Sequence, residues 1–173
     1  MNREEALHIF SHSEEIVSAS DVNASISHMA EAIRAEMAED FPLVLSVMGG
    51  AAVFTGMLLP HLDFPLEFDY IHLTRYRNAI KGSAEMQWRV APSGSVKDRV
   101  VLVLDDILDE GETMAAIRDR IMAMGAKTFL SAVLCEKIIP KAKPLHPDFC
   151  GFEVPDRYVF GCGMDTRTKP RSI

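Results

Sequence analysis

Cysteine is scarce in this 173-residue chain, with only Cys135, Cys150 and Cys162 and no CxxC spacing among them. An odd, dispersed set of thiols speaks against a disulfide framework and is the usage of reduced cysteines in a cytoplasmic protein. Positive charge is also short: 18 Lys and Arg stand against 25 Asp and Glu, a net charge of −7. That balance argues against a nucleic-acid or membrane-surface role, since both need a basic footprint. No apolar run approaches the length of a membrane span, and Met1-Asn2-Arg3-Glu4-Glu5 does not read as a signal peptide. The six histidines form no HExxH or other ligand cluster, so no structural zinc is expected. A G-x-x-x-x-G-K-[ST] phosphate loop is missing too.

What is there is ordinary globular composition, 48% hydrophobic and 25% charged. The length suits one domain, residues 1–173, with a sizeable core. No repeat, low-complexity tract or linker divides it.

The organising stretch runs from Val100 to Thr113. Val100-Val101-Leu102-Val103-Leu104 is a continuous apolar run and predicts a fully buried, parallel strand. Asp105 and Asp106 close it, and a short loop containing Gly111 follows. Met114, Ile117, Ile121 and Met124 then mark the apolar face of a helix that Gly125 can cap. Strand, acidic pair, loop and helix make a βα unit with its polar chemistry at the carboxyl end of a strand, where open α/β sheets bind ligands.

The loop makes opposing demands. Asp105, Asp106, Asp109, Glu110 and Glu112 crowd five carboxylates together, with no Lys or Arg between Val100 and Ile117. Yet Gly111, Thr113 and the first helical turn offer N–H groups, a hydroxyl and the positive end of a dipole, which suit an anion. Both hold if the acidic pair binds sugar hydroxyls while the loop holds a phosphate, with Mg2+ offsetting the remaining charge. A phosphorylated ribose carrying a further phosphate group meets these needs. A merely solvated turn and a Walker-B strand are the rivals, but the second lacks its phosphate loop. A response-regulator pocket would need a phosphoacceptor Asp ending a later strand, and Asp148 ends none.

Elsewhere, Asn2 to Phe10 predicts a short helix. A second, capped by Ser20 or Asp21, carries the stripe Val22, Ile26, Met29, Ile33 and Met37. Leu43 to Met48 is a buried strand. Gly49-Gly50 leads from it into a helix from Ala51 to Leu59, a second candidate anion loop. Leu66 to Leu73 is a strand with Phe68, Tyr70 and His72 on one face. Thr74 to Gln87 lacks apolar periodicity and predicts a surface loop. Lys127 to Cys135 is another strand, with Lys137 just past its end. Pro140, Pro144 and Pro147 make the next segment an extended connector.

The stretch Val101 to Thr113 resembles the phosphoribosyl-pyrophosphate (PRPP) signature of type I phosphoribosyltransferases. With its flanks, from about Leu43 to Asp165, the chain is similar to the purine, hypoxanthine-guanine branch of that family. The resemblance implies an α/β fold, a mostly parallel sheet flanked by helices, with a small hood from the chain ends. It implies a Mg-dependent transfer: PRPP and a purine base give a purine nucleoside monophosphate and pyrophosphate. By the same resemblance Asp105 and Asp106 hold ribose and metal, with Asp165 beside the metal, and Asp109 is the general base. Glu110, Gly111, Glu112 and Thr113 hold the 5′-phosphate. Met48, Gly49 and Gly50 form the pyrophosphate loop, where relatives carry a Lys or Arg at the position of Met48.

Arg75 and Tyr76 fall in the mobile catalytic loop of the family. Lys137 donates to the purine 6-oxo group, while Arg157, Tyr158 and Val159 form the base-binding segment with Tyr158 stacking. Arg171 falls near a pyrophosphate-binding position. A homodimer or homotetramer is implied. Met48 and the short basic tail keep a second reading in view, a catalytically weak or inactive PRPP- or nucleotide-sensing regulator on the same fold.

Overall fold

Val100–Leu108 (β4) lies at the centre of a six-stranded sheet in the order β3-β2-β1-β4-β5-β6. The other strands are Leu43–Met48 (β1), Glu67–Arg77 (β2), Ala84–Val90 (β3), Thr128–Ile138 (β5) and Phe149–Pro155 (β6). All neighbours are parallel except β2 and β3, which form an antiparallel edge. The computed structural model describes residues 2–77 and 84–164, without the side chains of residues 75–77 and 84–86.

Helices cover both faces, which is why β4 reads as an unbroken apolar run. Leu102 and Leu104 point to one face, where Ala19–Met37 (α2) and Ala52–Leu58 (α3) supply Ile26, Ile33, Phe54 and Leu58. Val101 and Val103 point to the other, against Met114, Ile117 and Ile121 of Glu112–Ala123 (α4). Each such fully buried side chain contributes about 1.5–3 kcal/mol.

The stripe expected on α2 is buried as spaced, but its cap is Ser18, whose Oγ accepts from Asp21 N at 3.2 Å, rather than Ser20 or Asp21. Three cap-forming residues stand close together there, and only the first has the extended backbone a cap requires. The first helix, Arg3–Ser11 (α1), starts at Asn2 with a reciprocal Asn2–Glu5 capping box. α3 ends in a 3-10 turn, Leu59–His61, containing Pro60.

The segment expected to be a loop from Thr74 onward is instead the end of β2 and the start of β3. This pairing forms the outer, antiparallel edge of the sheet, where apolar alternation is not required, so periodicity is silent there. Among the described residues, no helix is long and apolar enough to cross a membrane.

Candidate active site

Strand order reverses at β1 and β4: from β1 the chain proceeds outward to β2, and from β4 outward to β5 and β6. The crevice of such a sheet opens beyond the carboxyl ends of those two strands. The β1–β4 ladder stops at Ser46↔Leu104, so Asp105 is the first residue of β4 past it. The acidic pair does not end the strand as expected. β4 continues to Leu108 on its other edge, where the ladder to β5 closes at Leu108↔Glu136.

Both carboxylates are half-buried and turn back on the backbone: Asp106 N donates to Asp105 Oδ1 at 3.0 Å, and Ile107 N to Asp106 Oδ1 at 2.9 Å. Burial, reinforced by the adjacent Asp106 charge, pushes the Asp105 carboxyl well above its ordinary range. No cation among the described residues pairs with either.

The Gly49-Gly50 turn presses onto this pair. A Cβ at Gly50 would sit 2.7 Å from Asp106 Cγ, whereas one at Gly49 would meet nothing within 4 Å. The Met48–Gly49 peptide is cis. The two candidate anion loops therefore share one crevice, and the contact between them is Gly50 on Asp106.

Asp105 and residues 107–114 line a cleft of about 170 Å3. Gly111, at φ 78°, turns the chain into α4 as its N-cap, and the first intrahelical bond is Ala115 N to Gly111 O at 2.9 Å. First-turn N–H groups have no acceptor within their own helix, and the macrodipole favours an anion beside them. Thr113 is half-buried in the cleft wall, and Glu110 and Glu112 are exposed at its rim.

The missing positive charge comes from β5 and the connector. Lys137 Nζ lies 3.1 Å from Asp109 Oδ2, with the Lys side chain 11% exposed and the Asp side chain 48%. Lys137 lies inside β5, paired with Val154, not past the strand end as expected, because the ladder to β6 extends β5 to Ile138. Lys141 stands 3.7 Å from both Glu110 and Glu112. Lys143 is buried against Glu136 at 2.9 Å.

Lys141 and Lys143 escape sequence reasoning, since a lysine among prolines has no periodicity to reveal its partner. Asp148 is structural: Ser131 N and Oγ donate to its Oδ2 at 2.8 and 2.9 Å, tying the far end of the connector to β5.

The chain ends meet around a second cavity of about 900 Å3, lined by the end of α1, residues 12–17 and residues 157–162. Arg157, Tyr158 and Val159 line it, Tyr158 tilted against Phe160 at 6.3 Å. Arg157 reaches Glu14 at 3.8 Å, joining the two ends. Neither Lys137 nor Asp109 lines this cavity: Asp109 lines the first cleft, Lys137 lines neither opening and reaches that cleft only through Asp109, so the expected base-facing residues are not gathered in one opening. Asp165 and Arg171 lie outside the described residues, as do the side chains of Arg75 and Tyr76, whose backbone belongs to β2.

The model of the phosphoribosyl transferase domain matches residues 12–167, the span that carries this crevice. The chain belongs to the phosphoribosyltransferase family. A hypoxanthine-guanine phosphoribosyltransferase of Bacillus subtilis (strain 168) is 28% identical over 158 residues, 91% of this chain and 88% of that protein. A hypoxanthine-guanine-xanthine phosphoribosyltransferase of Tritrichomonas foetus is 32% identical over 154 residues, 88% of this chain and 84% of that protein. The solved hypoxanthine-guanine phosphoribosyltransferase of Bacillus anthracis shares the fold, with a TM-score of 0.83 over 93% of this chain and 95% of that one at 22% identity.

In this phosphoribosyltransferase the donor set suits a magnesium ion. Among the described residues no three His, Cys, Asp or Glu gather as a metal cage. Two neighbouring carboxylates with oxygen-only donors remain, and magnesium is typically held by one or two carboxylates together with substrate phosphates.

Proposed function

We propose that this phosphoribosyltransferase transfers the phosphoribosyl group of PRPP to hypoxanthine or guanine, releasing pyrophosphate, as one domain over residues 1–173. The observation that carries the reading is the Lys137–Asp109 pair at 3.1 Å beside the anion-binding start of α4. An ammonium and a carboxylate side by side present a donor to a 6-oxo group and an acceptor to a ring N–H of the same planar base.

Thr113 and the main chain of residues 110–113 hold the 5′-phosphate. Asp105 and Asp106 hold the ribose hydroxyls and, together with Asp165, would hold a magnesium ion. When bound, that ion would supply charge neutralisation for the leaving pyrophosphate. Gly49 and Gly50 receive the pyrophosphate by backbone, and Arg75, Tyr76 and Arg171 supply the side-chain contacts to it that Met48 lacks. Tyr158 stacks on the base and Val159 meets its edge, with Arg157 fixing that segment.

The C1′–O bond to pyrophosphate breaks and a C1′–N bond to the purine forms. The electron pair of the broken bond leaves with pyrophosphate, and the ring N–H proton passes to Asp109. The protein contributes position and charge stabilisation more than covalent chemistry. General-base assistance of this kind contributes about 10²–10⁴-fold.

The protein works in the cytoplasm as a homodimer or homotetramer. Phe68 and Tyr70, exposed on one face of β2, supply apolar surface for a second copy.

The test is incubation with magnesium, PRPP and hypoxanthine, followed by chromatography. Formation of inosine 5′-monophosphate with equal pyrophosphate is expected. PRPP binding by calorimetry without any nucleotide product would replace the enzyme with a sensor.

A further inference from the structure

The β4–β5 ladder closes at Leu108↔Glu136, and the next residue on each chain is Asp109 and Lys137. The two groups that face the base thus lie one step beyond the last hydrogen-bonded pair joining their strands. Nothing in that ladder fixes their separation.

One side chain spans the gap. Lys143 Nζ donates to Lys137 O at 2.6 Å, to Glu136 Oε1 at 2.9 Å and to Leu108 O at 3.4 Å. An ammonium has three protons, and these three acceptors use all of them. The acceptors are the carbonyl of Lys137 itself, the side chain of the residue before Lys137, and the carbonyl of the residue before Asp109.

The Lys143 side chain is 4% exposed and that of Glu136 11%. A buried ion pair is weak evidence for stability, because desolvation offsets much of its attraction, but it is demanding about geometry. Glu136 Oε1 also takes His146 Nδ1 at 2.7 Å, which holds the carboxylate from the other side of the connector.

The connector is itself pinned over the catalytic loop. A Cβ at Gly111 would meet Leu145 O at 3.2 Å and Pro144 Cδ at 3.4 Å. Lys143 therefore sits in a segment packed on Gly111 at one side and tied to Ser131 through Asp148 at the other. The backbone that carries Lys143 is thus anchored on both sides, and its ammonium is held by the three acceptors.

We infer that Lys143 is a positioning residue: its buried ammonium sets the spacing between Lys137 and Asp109 by joining their strands beyond the last ladder pair. The inference rests on the roles given above to Lys137 and Asp109. Lys143 touches no reacting atom. It acts on transfer to the base, whereas the residues of the phosphate loop and of the acidic pair act on PRPP.

The test compares the parent, Lys137→Met, Lys143→Met and the double variant Glu136→Gln/Lys143→Met. Lys143→Met alone leaves Glu136 charged and buried, and loses stability for that reason. The double variant removes both charges and keeps both shapes, so it folds with its thermal midpoint largely restored.

Folding restored does not mean spacing restored. In the double variant, kcat/KM for hypoxanthine is expected to fall by about 10²-fold, the scale of an ångström-sized misplacement. Calorimetric affinity for PRPP with magnesium should be kept, and the preference for hypoxanthine over adenine should narrow. A folded double variant with parent kcat/KM and parent base preference would overturn the brace alone. Equal losses in PRPP affinity and in base turnover would overturn it too, since they mark a general loosening of the site. A parent protein that forms no nucleotide, or one whose turnover Lys137→Met leaves unchanged, would overturn the functional reading and the brace together.

Discussion

Lys137 and Asp109 come from different strands and stand 3.1 Å apart, Nζ to Oδ2, the lysine nearly enclosed and the aspartate half-exposed. The pair presents an ammonium donor and a carboxylate acceptor together, at the carboxyl ends of neighbouring strands.

Asp109→Asn keeps the shape and one accepting oxygen but removes the proton acceptor. It is expected to lower kcat by about 10²-fold or more while PRPP affinity is nearly kept. Steady-state kinetics with calorimetric PRPP titration check this, and turnover at the parent rate would remove Asp109 from the general-base role.

Gly50→Ala and Gly49→Ala form a matched pair. The added Cβ at position 50 would lie 2.7 Å from Asp106 Cγ, while that at position 49 meets nothing within 4 Å. Gly50→Ala is expected to raise KM for PRPP about tenfold, equivalent to ~1.4 kcal/mol, with KM for the base little changed. Gly49→Ala should cause the smaller rise. Equal effects would show that the contact of Gly50 with Asp106 has no part in PRPP binding.

Asp105→Asn separates stability from function. The folded carboxyl titrates above its unfolded value, chiefly through burial and then through Asp106, so the folded form holds its proton more tightly. Stability contributed by this group therefore declines as pH rises from the ordinary carboxylate range toward the folded value. The amide escapes that decline. At neutral pH without ligand, the variant's thermal midpoint should exceed the parent's by about 2–4 °C, roughly 1 kcal/mol, and the gap should close near pH 4. PRPP binding with magnesium should weaken. A lower midpoint at neutral pH would mean that the charged form is stabilised in the fold.

Much of this was legible in the chain because burial leaves a mark on composition. β4 is covered on both faces, so its five leading residues are apolar, and the stripe of α2 matches its buried side. Asp105 to Thr113 could be read because ligand chemistry concentrates unusual residues in a short loop. The far ends of β2 and β3 left no pattern, since they form the outer, antiparallel edge of the sheet. Lys143 left none either. Its three acceptors come from two strands, and of the two lysines between Pro140 and Pro144 the solvated and the buried one look the same in sequence. Lys137 was found by resemblance, yet its partnership with Asp109 depends on the ladder that brings residues 28 apart together.

The central claim is transfer to 6-oxopurines through Lys137, and initial rates of pyrophosphate release with hypoxanthine, guanine and adenine test it most directly. An ammonium has donors only, so it bonds a 6-oxo group and rejects a 6-amino group. Sites of this kind discriminate by roughly 10⁴–10⁵ in kcat/KM. The parent is expected to release pyrophosphate with hypoxanthine and guanine and essentially none with adenine, and Lys137→Met should lose most of that rate and narrow the gap. Comparable rates with adenine and hypoxanthine, unchanged by Lys137→Met, would contradict it.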